Sequence, residues 1–265
     1  MKAFKTLDEQ IKYLSDKKGI IFENDRMAKD TLLDNNYYNV ISASKIKYVK
    51  DIVSKHHIYE NHNFSDWKAY YDIDCKVSRE LMPIMLDFEK TINSRTAYYI
   101  AKLIEHDEIE PKFENELVQL IKRASIKNLP DYNKMETWTY MTRMTFGETK
   151  QFIFWLAKNK KKSPLFDSYL SGILKSFMTS KNTKTIQNNL NELNNLRNHL
   201  FHFTPLNIYV TSGRGKNGIL TTSKRKKAIN FIYNLKDGTI KSDIMAIYEN
   251  ADRFVTIKNN QHKVS

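Results

Sequence analysis

The segment from Phe64 to Lys127 contains no glycine and has prolines only at positions 83 and 111. Residues that interrupt helices are therefore rare over a length far greater than that of an average helix. Within the segment, one set of residues recurs at intervals of four or three: Leu81, Met85, Phe88, Ile92, Thr96, Tyr99 and Leu103. This spacing predicts one face of a long amphipathic helix in a bundle, with Pro83 in the first turn of that helix.

Similar stripes predict further helices at 7–14, 113–126, 149–156, 166–178 and 185–203, and a last helix near 240–247. After Pro205, the segments 207–211 and 228–233 are short and rich in β-branched and aromatic residues, which predicts two strands of a small hairpin. A flexible loop at 212–218 follows the first of these strands. We therefore expect a mainly α protein with a single domain over 1–265. Its helical core would span about 5–205, followed by the hairpin and a helix at 206–250.

The charge of the chain favours a polyanionic partner. Lys and Arg number 43 against 30 Asp and Glu, which gives a formal net charge of +13. Such a field raises the local concentration of RNA or DNA, although a charge that serves only solubility is the alternative. Two clusters are candidates for contacts with RNA phosphates rather than simple solvated ends: Lys158, Lys160, Lys161 and Lys162, and Lys224, Arg225, Lys226 and Lys227.

The chain lacks the marks of a secreted or membrane protein. Cys75 is the only cysteine, which excludes an intramolecular disulfide and a zinc site built from several cysteines. No apolar signal core follows Met1, and no run approaches the roughly 20 apolar residues that cross a bilayer. We expect a cytoplasmic protein with no membrane contact.

The most informative segment is 190–205, where an apolar stripe predicts a helix that ends before Pro205. The stripe consists of Leu190, Leu193, Leu196, Leu200 and Phe203. At about 100° per residue, His202 lies almost opposite this stripe and Asn198 lies one turn before it. Arg197 lies on the flank, with a side chain long enough to reach the same face.

These three side chains are of types that can act together in catalysis at a phosphate. Arg197 can hold a phosphate through two hydrogen bonds and neutralise charge in a pentavalent transition state. As a histidine, His202 can remove or deliver a proton, while Asn198 can orient the imidazole or a phosphate oxygen. Attack by a ribose 2′-hydroxyl on its own phosphate needs no metal and no cofactor, and DNA lacks that hydroxyl. RNA is therefore the expected substrate, unless the group is only a chance set of surface residues.

The pattern Arg197-Asn198-x-x-x-His202 resembles the Arg-x(4–6)-His motif of HEPN domains. The chain from about 5 to 205 resembles the Abi family of bacterial abortive-infection proteins, of the AbiD and AbiF type. Residues 33–40 are similar to the family's early "NYYR-leucine" block, with Asn39 where arginine is usual. Residues 64–99 resemble its long helix with a central Glu and Arg, here Glu89 and Arg95, and Trp138 with 145–148 resembles its later "FG" block.

The resemblance implies a HEPN-like helical bundle and an RNA-linked role in phage defence, with RNA cleavage or growth arrest as its output. HEPN ribonucleases commonly join two motifs across a dimer, so the single motif of this chain implies a homodimer with a composite site. Some family members act through a bound non-coding RNA. Glu89 and Arg95 both flank the apolar stripe of their helix, and we interpret them as structural support that orients neighbouring helices.

The leading hypothesis is a metal-independent endoribonuclease of abortive infection. In it, His202 acts as general base or acid, Arg197 holds the scissile phosphate and Asn198 orients them. The alternative is a non-catalytic protein that binds and carries a small non-coding RNA. A module that binds a protein partner, such as a nucleotidyltransferase antitoxin, is a third hypothesis, although no nucleotide-binding motif is visible. An antitoxin or regulatory partner is compatible with either of the first two.

Overall fold

The computed structural model describes residues 4–53, 56–124, 137–175, 177–178, 182–215, 219–236 and 239–261. Across these ranges the chain is mainly helical, with one antiparallel pair of strands, so the expected fold class is confirmed. In chain order the elements are α1 (Leu7–Lys18), α2 (Asp25–Asn35), α3 (Tyr37–Tyr48), β1 (Val49–Val53), β2 (His56–Tyr59), α4 (Phe64–Glu105), α5 (Pro111–Arg123), α6 (Thr137–Thr142), α7 (Phe146–Asn159), α8 (Pro164–Leu174), α9 (Thr183–Phe201), α10 (Leu206–Thr211), α11 (Ser223–Tyr233) and α12 (Lys241–Gln261).

The elements fall into two compact units. Unit 1 consists of Met1–Ile84 together with Leu196–Ser265, and unit 2 consists of Met85–Asn195. Helices α4 and α9 contribute residues to both units. The expectation of a single domain over 1–265 stays a prediction.

Most of the predicted helices are present. The stripes at 7–14, 149–156, 185–203 and 240–247 correspond to α1, α7, α9 and α12. Those at 113–126 and 166–178 correspond to α5 and α8, which end at Arg123 and Leu174, while residues 125, 126 and 176 lie outside the described residues. In the predicted loop at 212–218, Arg214 forms an isolated bridge with Leu220, and residues 216–218 lie outside the described part.

Unit 1 begins with short helices whose ends are marked by side-chain caps. Thr6 and Glu9 form a reciprocal capping box at α1, and Gly19 ends that helix with a left-handed φ of 65°. Asn24 and Asn36 cap α2 and α3 through their side-chain oxygens. These helices pack with the first part of α4 around a core that includes Leu14, Ile20, Val40, Trp67 and Tyr70.

The hairpin lies elsewhere than the sequence predicted. Strands β1 and β2 pair between Val49 and Tyr59, whereas the segments 207–211 and 228–233 lie in α10 and α11. The prediction of strands after residue 205 was wrong because a short apolar run has the same composition in a buried helix as in a strand. In α10 nearly every side chain is buried, since α3, α11 and α12 surround it. Tertiary packing therefore overrides the β propensity of its residues.

The position of Pro83 was also mispredicted. Helix α4 begins at Phe64, so Pro83 lies in its interior and not in its first turn. Proline has no amide proton, and the carbonyl of Arg79 therefore loses its helical donor at this point. The long stripe from Leu81 to Leu103 remains a packing face, since all its members except the half-buried Tyr99 are buried.

The core of unit 2 is built on aromatic side chains of α5, α7 and α8. The ring centroid of Phe113 lies 5.9 Å from that of Trp155 and 5.2 Å from that of Phe166, with the rings edge to face. Trp155 also donates its indole N–H to a carboxylate oxygen of Glu116 at 2.6 Å. The buried indole therefore has a hydrogen-bond partner, and its ring can occupy the core.

Candidate active site

The motif residues lie at the carboxyl end of α9, in unit 1. Leu196 and Leu200 are buried, whereas Asn198 and His202 are exposed, as the helical wheel predicts. The amide of His202 donates to the carbonyl of Asn198 at 3.0 Å, so the two residues are one turn apart. The guanidinium of Arg197 is half-buried and lies 4.7 Å from the ring centroid of Phe201. The end of α9 therefore presents an amide and an imidazole to solvent beside a stacked arginine.

Helix α9 ends in a Schellman motif with a phenylalanine where glycine is usual. The amide of Thr204 donates to the carbonyl of His199 at 3.0 Å, and that of Phe203 donates to Leu200 at 3.3 Å. Phe203 adopts a left-handed φ of 53°, which is uncommon for a bulky side chain. This turn directs its ring out of the core, and the side chain is 75% exposed. The prediction that Phe203 continues the buried stripe was therefore wrong.

A buried aspartate of α4 fixes the chain directly after the motif. Oδ1 of Asp74 accepts the amide of Leu206 at 2.7 Å, and Oδ2 accepts the backbone and side-chain N–H groups of Asn207 at 2.7 and 2.6 Å. Oδ1 of Asn207 in turn accepts the hydroxyl of Tyr70 at 2.9 Å. These bonds hold the first turn of α10, and hence the segment from His202 to Leu206, against α4.

Asp74 is the site-shaping residue that the sequence reasoning missed. Its side chain is 1% exposed, and burial raises its pKa to about 6, against the opposing effect of the donors from Asn207 and Leu206. A signal was available, because Tyr70, Asp74, Val77 and Leu81 follow the same four-three spacing on the buried face of α4. A carboxylate at a core position of this kind requires donors from another part of the chain.

His199 is distinguished from His202 by its surroundings. Its ring is half-buried and lies 5.0 Å from that of Tyr209, centroid to centroid. Its Nδ1 is buried and has no hydrogen-bond partner among the described residues. Burial, together with the electrostatic effect of the neighbouring Arg225 and His202, lowers the pKa of His199 to about 4. His199 is therefore a neutral packing residue near neutral pH.

We expect His199→Phe to raise the stability of the folded protein at acidic pH. The folded pKa of His199 lies below its ordinary value of 6.5, so only the unfolded chain takes up a proton between these values. The stability that neutral His199 contributes is complete above about pH 6.5 and is lost as the pH falls towards about 4. Phenylalanine keeps the contact with Tyr209 and cannot be protonated.

Urea unfolding at about pH 8 and about pH 5 measures this effect, since the two pH values lie on either side of the titration. The variant should gain about 1–2 kcal/mol over the original protein at the lower pH, once the partial exposure of the ring is allowed for. His57, whose pKa burial also lowers to about 4, is present in both proteins and cancels in the difference. An equal difference at both pH values would contradict the assignment.

In the basic cluster on α11, two side chains contact other residues of the protein and two are exposed to solvent. Arg225 lies 4.5 Å from the ring centroid of Tyr209, and Lys226 forms an ion pair with Asp252. Lys224 and Lys227 are exposed. RNA binding by the whole cluster stays a prediction, and within it Lys224 and Lys227 have the side chains free to reach a phosphate.

The second basic cluster lies in unit 2, at the end of α7 and in the turn that follows it. Lys158, Lys161 and Lys162 are exposed, and Lys160 is half-buried. The amide of Lys162 donates to the carbonyl of Asn159 at 2.7 Å, which closes the turn. The structure therefore presents these lysines on a surface turn, and their binding of RNA stays a prediction.

Glu89 and Arg95 make contacts within unit 2 that are structural in kind. Oε1 of Glu89 accepts the amide of Phe146 at 3.3 Å, at the first turn of α7. Nη1 of Arg95 donates to the carbonyls of Ile173 and Lys175 at 3.3 and 2.5 Å, at the end of α8. Each charge thus lies at the helix terminus whose dipole it complements, and each ties α4 to a neighbouring helix.

The described residues contain no group of three or more His, Cys, Asp or Glu side chains placed to hold a metal ion. Within the same ranges, no helix combines the length and the apolar character needed to cross a bilayer.

Comparison with models of known protein families gives a match. The family model described as Abi-like protein matches residues 30–206, which is more than half of the chain and includes Arg197, Asn198 and His202. No match was found among curated proteins or among solved structures.

Proposed function

Because the chain belongs to the Abi-like protein family, which supports a role in abortive-infection defence, we propose that it acts there as an endoribonuclease of the HEPN type. The observation that carries the proposal is the end of α9, where Asn198 and His202 are exposed beside Arg197. The charge of +13 supports a polyanionic substrate. The contacts of Asp74 with Leu206 and Asn207 give this segment a fixed backbone, which precise positioning of reacting groups requires.

Each side chain has a role that matches its chemistry. His202 removes the proton of a ribose 2′-hydroxyl while its oxygen forms a bond to the adjacent phosphorus. The bond from phosphorus to the 5′-oxygen then breaks, and a protonated histidine supplies the proton that this leaving oxygen needs. Arg197 holds the non-bridging oxygens and stabilises the charge that develops on them, and Asn198 orients the phosphate. The products are a 2′,3′-cyclic phosphate and a 5′-hydroxyl.

Incubation of the purified protein with total cellular RNA in the presence of EDTA tests this chemistry. We expect cleavage to persist with EDTA and the new ends to be 2′,3′-cyclic phosphates and 5′-hydroxyls. Single-stranded DNA of matched sequence serves as the control and should remain intact, because it lacks the attacking hydroxyl. Loss of cleavage with EDTA, cleavage of the DNA, or the absence of any cleavage would each contradict the proposal.

We also propose that two copies of the chain form the complete site. The chain carries a single Arg197–His202 pair, whereas proton removal and proton delivery require two acid–base groups. A two-fold axis near the end of α9 would bring a second His202 to the same phosphate. Sedimentation should therefore show a homodimer, with dissociated chains inactive. A monomer that persists at high protein concentration with RNA present would exclude this arrangement.

A further inference from the structure

A cavity of about 500 Å³ lies within unit 1, beside the end of α9. Its walls are formed by the end of α2, the first turn of α3, the first half of α4, and the end of α9 with the residues that follow it. Phe203 and Thr204 line it and directly follow His202 in the chain. Its volume lies within the range typical of small-molecule sites. The cavity therefore adjoins the proposed catalytic group.

Two strained residues meet at this cavity. Among the described residues, Asn36 and Phe203 are those other than glycine with positive φ, at 54° and 53°, and both line the cavity. For phenylalanine this conformation is unfavourable, and it turns a large apolar ring towards solvent. Strain of this kind is concentrated at functional sites. The exposed ring of Phe203 gives the cavity a flat aromatic surface.

The polar groups of the cavity suit a nucleotide. Arg79 is exposed and has no ion-pair partner among the described residues. The side-chain amide of Asn39 and the hydroxyl of Ser78 likewise have no hydrogen-bond partner in the described part of the chain, so both can bind a polar ligand. Two carboxylates also line the cavity, but Asp74 is occupied by its donors from Leu206 and Asn207, and Asp34 lies on the exposed end of α2.

We propose that this cavity receives one unstacked base of the bound RNA. The base stacks on Phe203, its edge meets the amide of Asn39, and Arg79 binds an adjoining phosphate. The inference rests on the proposed function, because it takes the RNA to be held at Arg197 and His202. Phe203 directly follows His202 in the chain, so a base on Phe203 would belong to the stretch of RNA held at the proposed catalytic group. The cavity thus fixes which nucleotide is presented for cleavage.

Fluorescence anisotropy with a labelled single-stranded oligoadenylate tests the inference in a His202→Ala background, where the RNA is not cleaved. Phe203→Ala should weaken binding by about fivefold to a hundredfold, the usual contribution of one stacked base. Phe203→Tyr should restore the affinity because it keeps the aromatic face. Arg79→Gln should lower the slope of log affinity against log salt by about 0.7, whereas Phe203→Ala should leave the slope unchanged.

Matched controls come from exposed residues of unit 1 that do not line the cavity. Phe4→Ala and Arg26→Gln should leave both affinity and salt slope unchanged. Phe203→Ala binding as tightly as the background protein, or no more weakly than Phe4→Ala, would overturn the base site. An unchanged slope in Arg79→Gln would overturn the phosphate contact. Because binding is measured without cleavage, these results are independent of whether the unsubstituted protein cuts RNA.

Discussion

Replacement of Asp74 by alanine should destabilise the protein by about 3–5 kcal/mol, because hydrogen bonds to a buried charge are strong and their loss leaves donors unpaired. The carboxylate is the acceptor for the amide of Leu206 and for both N–H groups of Asn207. All three donors would stay buried without an acceptor. Urea unfolding at neutral pH measures the loss. The stability of Asp74→Asn should lie between that of the original protein and that of Asp74→Ala. An amide retains one acceptor oxygen but directs its NH₂ group at a donor.

The control is Asp72, two residues away on the exposed side of α4. Its carboxylate pairs with Lys68 at 2.5 Å in a solvent-exposed ion pair. Asp72→Ala should therefore cost less than about 1 kcal/mol. Equal losses of stability in Asp74→Ala and Asp72→Ala would mean that the effect does not depend on the buried carboxylate. A small loss in Asp74→Ala would show that the segment after the motif is held by packing alone.

Periodicity predicted most of the helices and the exposed face of α9, because both depend on local spacing. Leu196 and Leu200 are buried, and Asn198 and His202 lie opposite them, as a straight helix requires. The same spacing could not predict where α9 ends. The turn after Phe201 depends on the left-handed conformation of Phe203, a residue that rarely adopts it. Pro205 indicated only that the helix stops before it.

Features that depend on distant parts of the chain could not be predicted from local sequence patterns. The strand-like segment 207–211 is helical because Asp74, more than 130 residues earlier, binds its first amides and because other helices bury it. The environments of the basic residues on α11 also depend on distant parts of the chain. Lys226 forms an ion pair with Asp252, and Arg225 lies over the ring of Tyr209. A count of charges along the sequence treats all four side chains of that cluster as equivalent.

Replacement of Arg197 by alanine should lower RNA cleavage by about a hundredfold or more, because the developing charge on the phosphate would lose its main partner. Arg197→Lys should recover part of the activity, since an ammonium keeps the charge but cannot make the two-pronged contact. The guanidinium also stacks on Phe201, so unfolding of Arg197→Ala must be measured alongside. Full activity in Arg197→Ala would contradict its role at the phosphate.

His202→Ala is the third variant with a large expected effect. The side chain is exposed just beyond the end of α9, so its removal should leave the free energy of unfolding almost unchanged. His106, exposed after the end of α4, gives the matched control His106→Ala, which should retain full activity. If His202 transfers the proton, cleavage should fall by about a hundredfold or more in His202→Ala alone.

The most direct test of the account measures RNA cleavage and RNA binding side by side for the original protein and His202→Ala. We expect His202→Ala to fold and to bind single-stranded RNA with unchanged affinity, because the phosphate contacts proposed for Arg197 and Asn198 remain. The variant should nevertheless lose cleavage and, in cells, growth arrest. If His202→Ala binds RNA and arrests growth as the original protein does, the endoribonuclease proposal is wrong and a protein that carries a small RNA takes its place.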